Sequence, residues 1–302
     1  MKQSSPLNKQ GQTEQQFLQA YDASQFDRPS VTVDMLVFTV SDEEEKNYRK
    51  LSPKSLNILL VKRGDHPFLG QWALPGGFVS PNESLEEAAR RELRTETNLD
   101  NIYLEQLYTW GDVDRDPRTR VISISYMALV NSEALEVIAG DDADEAEWFQ
   151  LEDKWLRETK TATPDGSITE RWIELRLRHE DEELSATIKV TKTVTGRSIR
   201  ETREIVEANQ IAFDHAQIIQ YALERLRNKI EYTDIAFALM PELFTLTELQ
   251  QVYEVILGKE LLAAAFRRKV ADKVIETNQY RKNAGHRPSK YFRFNPEWMD
   301  QA

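Results

Sequence analysis

Residues Gly76–Leu99 read GGFVSPNESLEEAARRELRTETNL. Ser84 followed three positions later by Glu87 forms a capping box, which predicts a helix start, and Leu85, Ala89 and Leu93 recur at every fourth position as a core-facing stripe. Glu92 and Glu96 are four apart and project from one face of that helix; position 95, three from Glu92, lies on the same face. Three carboxylates there would hold divalent cations, because Mg²⁺ demands hard oxygen ligands. The chain carries Thr95 instead, one negative charge fewer. Around this helix, Val31–Val40, Asn57–Lys62 and Val121–Val130 are apolar, β-branched runs that read as strands, and Gly111–Arg120 reads as a turn-forming segment before the last of them.

The quoted segment resembles the Nudix box, in which Gly, five residues, Glu, seven residues, Arg-Glu-apolar, one residue, Glu-Glu, one residue and Gly-apolar recur. Gly77, Glu83, Arg91, Glu92, Leu93, Glu96 and Leu99 match; Thr95 and Asn98 do not. The preceding Gln71-Trp72-Ala73-Leu74-Pro75-Gly76 is also familiar from that superfamily. The resemblance implies an α/β fold, the Nudix α/β/α sandwich. It also implies that Glu92 and Glu96 bind Mg²⁺ weakly or not at all, that no cofactor is required, and that hydrolysis is slow or absent, so no catalytic residue is expected. Asn98 in place of Gly is the milder change, since Asn also tolerates the left-handed conformation that ends a helix. A diphosphate cleft with a weakened cation site is expected to act as a receptor. Arg115 and Arg118 in the loop Gly111–Arg118 offer guanidinium groups for phosphates, with Asp116 between them and Arg63 as a third; a plain surface turn is the alternative. Phe68, Trp72 and Trp110 are candidates to stack on an adenine, or else belong to the core.

With 302 residues the chain is expected to form two or three domains. It has no cysteine, so disulfides, zinc ribbons and thiol nucleophiles are excluded and the reducing cytoplasm is the expected location. Residues 1–16 do not read as a signal peptide, and no 18-residue apolar run exists to span a bilayer. The net charge of −12 is unevenly spread. Residues 259–294 hold ten Lys or Arg against three acids, a net of +7, which leaves −19 on the remainder. An acidic body with a basic module predicts a polyanionic partner.

The chain is divided accordingly into residues 1–28, an extension with a short amphipathic helix docking on the adjacent domain; 29–157, the Nudix-like domain; 158–208, a small antiparallel β insertion; and 209–302, a basic helical domain. Asp165-Gly166 and Thr195-Gly196 are the turn signals of the insertion, whose alternating strands read either as an inert excursion or as a dimerisation surface. Past Phe213, one helix carries Ile218, Tyr221, Ala222, Leu226 and Ile230. A second opens on the Thr245/Glu248 capping box and closes at Gly258, and a third covers about Leu261–Lys273. Short strands near Val274–Thr277 and Lys290–Phe294 flank a basic loop, completing the plan of a winged helix-turn-helix. Arg267, Arg268 and Lys269 sit on its recognition helix and Arg281, Lys282 and Arg287 in its wing, placed to hold double-stranded DNA.

The combination is similar to the NrtR family, Nudix-related transcriptional regulators of NAD metabolism. The similarity rests on Ala212-Phe213-Asp214-His215, Phe244-Thr245-Leu246, Leu249 to Glu254, Phe266-Arg267-Arg268-Lys269, Gly285-His286-Arg287-Pro288 and the loop Arg115-Asp116-Pro117-Arg118. Ala265 stands where an Asn is expected. The resemblance implies a homodimeric repressor of NAD biosynthesis or salvage genes that binds a palindromic operator, without membrane association. It is released by ADP-ribose in the Nudix-like pocket, while some relatives answer to sugars or sugar phosphates. The competing expectation is an active ADP-ribose pyrophosphatase with secondary DNA binding.

Overall fold

The computed structural model describes residues 6–43, 52–99, 102–134, 143–281 and 288–301. Helix α1 (Glu14–Ala20) is capped by Thr13 and Gln16. Contrary to expectation it does not dock: none of its residues is buried, and Phe17 and Leu18 remain exposed. Two helical turns bring too little apolar surface to hold themselves against the body.

Strands β1 (Ser30–Asp42) and β2 (Lys54–Arg63) form an antiparallel pair. The short strands β3 (Trp72–Ala73) and β4 (Gly76–Phe78) pair with β2 and β1 respectively. Then come α2 (Leu85–Thr97), β5 (Tyr103–Trp110) and β6 (Val121–Asn131), which runs parallel to β1 from Ser30↔Val121 to Val40↔Asn131. The two faces of β1 read off its alternation. Val33, Met35 and Val37 pack with Ala88, Ala89 and Leu93 of α2, while Leu36, Phe38 and Val40 face the opposite layer. Strand β5 is not predicted from sequence because a bulge between Gln106 and Tyr108 breaks its period-two pattern.

Strand β7 (Ala143–Thr163) pairs with β2 and continues without a break past residue 158; β8 (Gly166–His179), β9 (Glu182–Thr195) and β10 (Ser198–Asn209) come next as antiparallel neighbours. The expected antiparallel β insertion is continuous with the main sheet. It extends one sheet of ten strands, ordered β10-β9-β8-β7-β2-β1-β6-β5 along its main path. Its buried face, Ile173, Leu175, Leu177, Leu184, Ala186, Ile188 and Val190, joins the same apolar cluster as α3 (His215–Ile230).

The winged helix comprises α4 (Leu246–Leu257), α5 (Ala263–Val270) and the antiparallel β11 (Val274–Arg281) and β12 (Ser289–Phe294). Both halves of the Thr245/Glu248 capping box are made, and Gly258 ends α4 at φ 64°, a left-handed conformation that Gly, with no Cβ, adopts most readily. Helix α5 is shorter than expected because a 3₁₀ turn takes Ala271–Lys273. Lys282 and Arg287 lie outside the described residues. The apolar cluster runs uninterrupted from Leu36 in the sheet through Leu223 of α3 to Phe266 and Val270 of α5. No helix among the described residues is long and apolar enough to cross a membrane.

Candidate functional site

The box helix α2 borders a cleft of about 720 Å³, which is also lined by β3, β4, the start of the loop after β2, the loop before β6 and the start of α3. Two glycines admit the backbone here. A Cβ on Gly76 would lie 2.2 Å from the Val33 carbonyl oxygen, and one on Gly77 would lie 2.3 Å from Glu92 Oε1. Glu92 is buried against this bare backbone, and Arg91 donates to it at 2.5 Å. Arg91 also donates to both oxygens of Glu83, at 2.8 and 3.1 Å, and to the Phe78 carbonyl. These hydrogen bonds, with the Ser80 backbone amide, hold the Glu83 carboxyl down at about 2. Thr95 faces the cleft, but its hydroxyl donates to the Arg91 carbonyl at 3.0 Å. Asn98 ends α2 at φ 55°, in the left-handed conformation expected of it.

The donor set is a poor fit for a resident divalent cation. Glu83 is taken up by a guanidinium, position 95 offers no charge, and among the described residues no group of three His, Asp or Glu side chains is arranged to hold a metal ion.

Three of the predicted ligand residues occupy unequal positions around this cleft. Arg63 lines it, donating to the Pro67 carbonyl at 2.6 Å with its guanidinium 4.9 Å from the Phe213 ring. Arg118 is partly exposed and held by Asp116 through a bidentate pair at 2.8 and 3.1 Å. Arg115 is not a free surface group. Its side chain is only 5% exposed and donates to both oxygens of Asp214, at 2.7 and 2.9 Å, and to Asp34 at 3.3 Å. Trp72 and Trp110 are core residues: their indole N–H groups donate to Glu182 and Ser125. Phe68 packs on Phe213 at 4.6 Å.

Sequence reasoning missed Asp34, Phe213 and His215 as members of the cleft. Asp34 is buried in β1, accepts from Ser123 Oγ at 2.5 Å, and burial raises its pKa. Asp34, the one acid in the run Val31–Val40, was the available signal. His215 is buried, and its Nδ1 accepts from the Leu74 amide at 2.8 Å, which places the ring proton on Nε2, 3.8 Å from Asp34 Oδ1. Burial depresses its pKa to about 4, so the ring is neutral.

At the opposite end, Arg267, Arg268 and Lys269 are exposed on α5, and Lys269 is paired to Glu231 at 2.9 Å. Arg281 forms an ion pair with Glu248 in the first turn of α4 and so ties the wing to that helix.

The NUDIX domain family matches residues 32–172, and the NrtR DNA-binding winged helix domain family matches residues 236–294. The ADPR responsive transcriptional repressor NtrR of Acinetobacter baylyi is 33% identical over 285 residues, 93% of this chain and 88% of that protein. Shewanella oneidensis NrtR, in a crystal structure with a 27mer DNA, superposes with a TM-score of 0.58 at 30% identity, covering 88% of this chain and 94% of that one. An ADP-ribose pyrophosphatase of Methanocaldococcus jannaschii is 48% identical over 98 residues, 32% of this chain and 57% of that protein. Matched at both ends, and a third identical to a repressor across nearly its full length, the chain belongs to the NrtR family of Nudix-related transcriptional regulators.

Proposed function

We propose that this protein is an ADP-ribose-responsive transcriptional repressor of NAD biosynthesis or salvage genes, acting in the cytoplasm as a homodimer on a palindromic operator. The observation that carries this reading is the continuity of a Nudix-type cleft, a helix that forms part of its wall, and a winged helix whose Arg267 and Arg268 face solvent. Arg63 and Arg118 are the cleft cations placed to meet a diphosphate, with Arg115 deeper in the wall. Arg267, Arg268 and Lys269 approach DNA from α5, where phosphate contacts supply affinity by counterion release. A two-fold symmetric dimer matches a near-palindromic site.

Titration of the full chain against duplexes covering the control regions of NAD-metabolism genes tests this reading. One duplex should bind in a salt-sensitive manner and be released by ADP-ribose. Absence of salt-sensitive binding to any of them, or binding that saturating ADP-ribose leaves unchanged, contradicts it.

A second reading, an ADP-ribose pyrophosphatase with secondary DNA binding, is favoured by one observation: the apposition of Gly77 and Glu92 is intact. Incubation with Mg²⁺ and ADP-ribose separates the two, since AMP production at ordinary enzymatic turnover belongs to the pyrophosphatase and its absence to the repressor.

A further inference from the structure

Asp214 occupies the N-cap position of α3, where an Asp side chain ordinarily accepts from the amides of the first turn; here it makes no such bond. Its carboxylate is turned instead to Arg115, which it holds through two hydrogen bonds. Asp34 shares that guanidinium, and Ser123 in turn holds Asp34. The third guanidinium nitrogen, Nη1 of Arg115, makes no hydrogen bond to any described residue, and Arg115 lines the cleft.

The segment leading into α3 is strained and bonded to the cleft floor. Gln210 and Phe213 both have positive φ, 63° and 52°, although neither is a glycine. Gln210 and Ala212 bracket Trp72 through backbone bonds of 2.9 and 2.8 Å, and His215 takes the Leu74 amide. Phe213 and His215 are themselves part of the cleft wall.

The far end of α3 grips the DNA-binding module. Arg227 donates to the Ile256 carbonyl at the end of α4 and to Asp153 of β7, and Glu231, just past the helix, holds Lys269 of α5. Sixteen helical residues span roughly 24 Å at about 1.5 Å each. A shift at the cleft end is therefore delivered to the recognition helix by a rigid element rather than lost in a loop.

We propose that the Arg115–Asp214 pair is a partner-exchange latch through which the cleft controls the DNA-binding end. This rests on the reading that the cleft takes a nucleoside-diphosphate effector. A phosphate oxygen reaches Arg115 first through Nη1 and then competes with Asp214 for the remaining donors. Released, the Asp214 carboxylate caps the amide of Ala216, which has no partner in the first turn, whereas that of Gln217 already donates to the Asp214 carbonyl at 3.1 Å, and the first turn of α3 settles in a second arrangement. The same residue thus has two alternative sets of partners, one for each state, which is the differential interaction that a ligand-driven shift requires.

The test uses the full chain, ADP-ribose as effector, and a duplex that the wild-type protein selects from a random-sequence pool. Wild-type DNA affinity should fall by about ten-fold or more with ADP-ribose. Asp214→Asn, which weakens the hold on Arg115 yet retains a capping oxygen, should move two affinities in opposite directions. DNA binding without effector should fall toward the effector-bound wild-type value, while ADP-ribose binding tightens, because the latch is already open. The remaining effect of ADP-ribose on DNA should drop below about two-fold. Equal weakening of both affinities, or a wild-type-sized response, overturns the latch. Hydrogen exchange on the wild type gives an answer independent of any variant: the amide of Ala216 should exchange several-fold more slowly with ADP-ribose, and unchanged exchange there overturns the proposal. If the wild type selects no duplex, or its DNA binding ignores ADP-ribose, the repressor reading falls and the latch with it. A wild type that responds normally beside an equally responsive Asp214→Asn defeats the latch alone.

Discussion

Thr95 lies on the cleft wall one turn beyond Arg91, and its hydroxyl is spent on the carbonyl of that turn. Thr95→Glu restores a third carboxylate beside Glu92 and Glu96; with Mg²⁺ present, ADP-ribose hydrolysis should rise by roughly ten-fold or more, measured as AMP formation. An unchanged rate would show that position 95 is not what limits cation binding. His215 supports a second prediction at this scale. Its folded pKa of about 4 lies below the ordinary 6.5, so the unfolded chain binds the extra proton between those values. Stability is then fully present above pH 6.5 and declines as pH falls toward 4, by at most on the order of 3 kcal/mol. Asp34 lies 3.8 Å from the ring, Asp214 attracts its positive charge, and Arg115 and Arg63 repel it. Urea unfolding at pH 7.5 and pH 5 should show this loss in the wild type and a smaller one in His215→Gln. The residues of the box were legible in sequence because their spacing is a helical spacing. Asp34 and His215 were not assigned, since nothing local relates a strand residue to a histidine far along the chain.

Helix α4 is the element whose ends the sequence describes most fully. Thr245 and Glu248 cap its start reciprocally, at 3.2 Å for the Glu248 amide and 2.8 Å for the Thr245 amide, and Gly258 closes it. Thr245→Ala should cost about 1 kcal/mol of stability, read from denaturant unfolding. Helix α5 is less well specified: Leu262 at its N-cap offers no acceptor, and the helix gives way to a 3₁₀ turn after Val270. Its charge is nevertheless functional in the proposed reading. Arg267→Ala and Arg268→Ala should each reduce the slope of log affinity against log salt by about 0.9, measured by DNA titration over a range of NaCl concentrations. A slope unchanged in both variants would remove α5 from the DNA interface. Strand β5 and helix α1 show where element-level reading fails. The bulge in β5 hides its alternation, and the apolar side chains of α1 have a helical pattern but no surface beneath them.

Across the whole molecule the apolar interior does not follow a division into modules. One cluster joins the sheet, α3 and the winged helix, while α2 closes the other sheet face with a smaller one. Calorimetric unfolding should therefore show a single cooperative transition, and two separated transitions would show that the winged helix is held by its own core alone. The strand extension acquires a role from the same continuity. Its alternation alone left open an exposed partner surface, whereas β8 and β9 bury their apolar face toward α3. Capping boxes, the left-handed helix ends at Asn98 and Gly258, the box carboxylates and the basic C-terminal charge were determined by sequence alone, because each depends on interactions within about four residues or on composition. The meeting of Asp34, Ser123, Arg115 and Asp214 was decided by tertiary structure: the Arg115–Asp214 bond joins residues 99 positions apart, and only the register of β1 against β6 and the docking of α3 bring those charges within bonding distance.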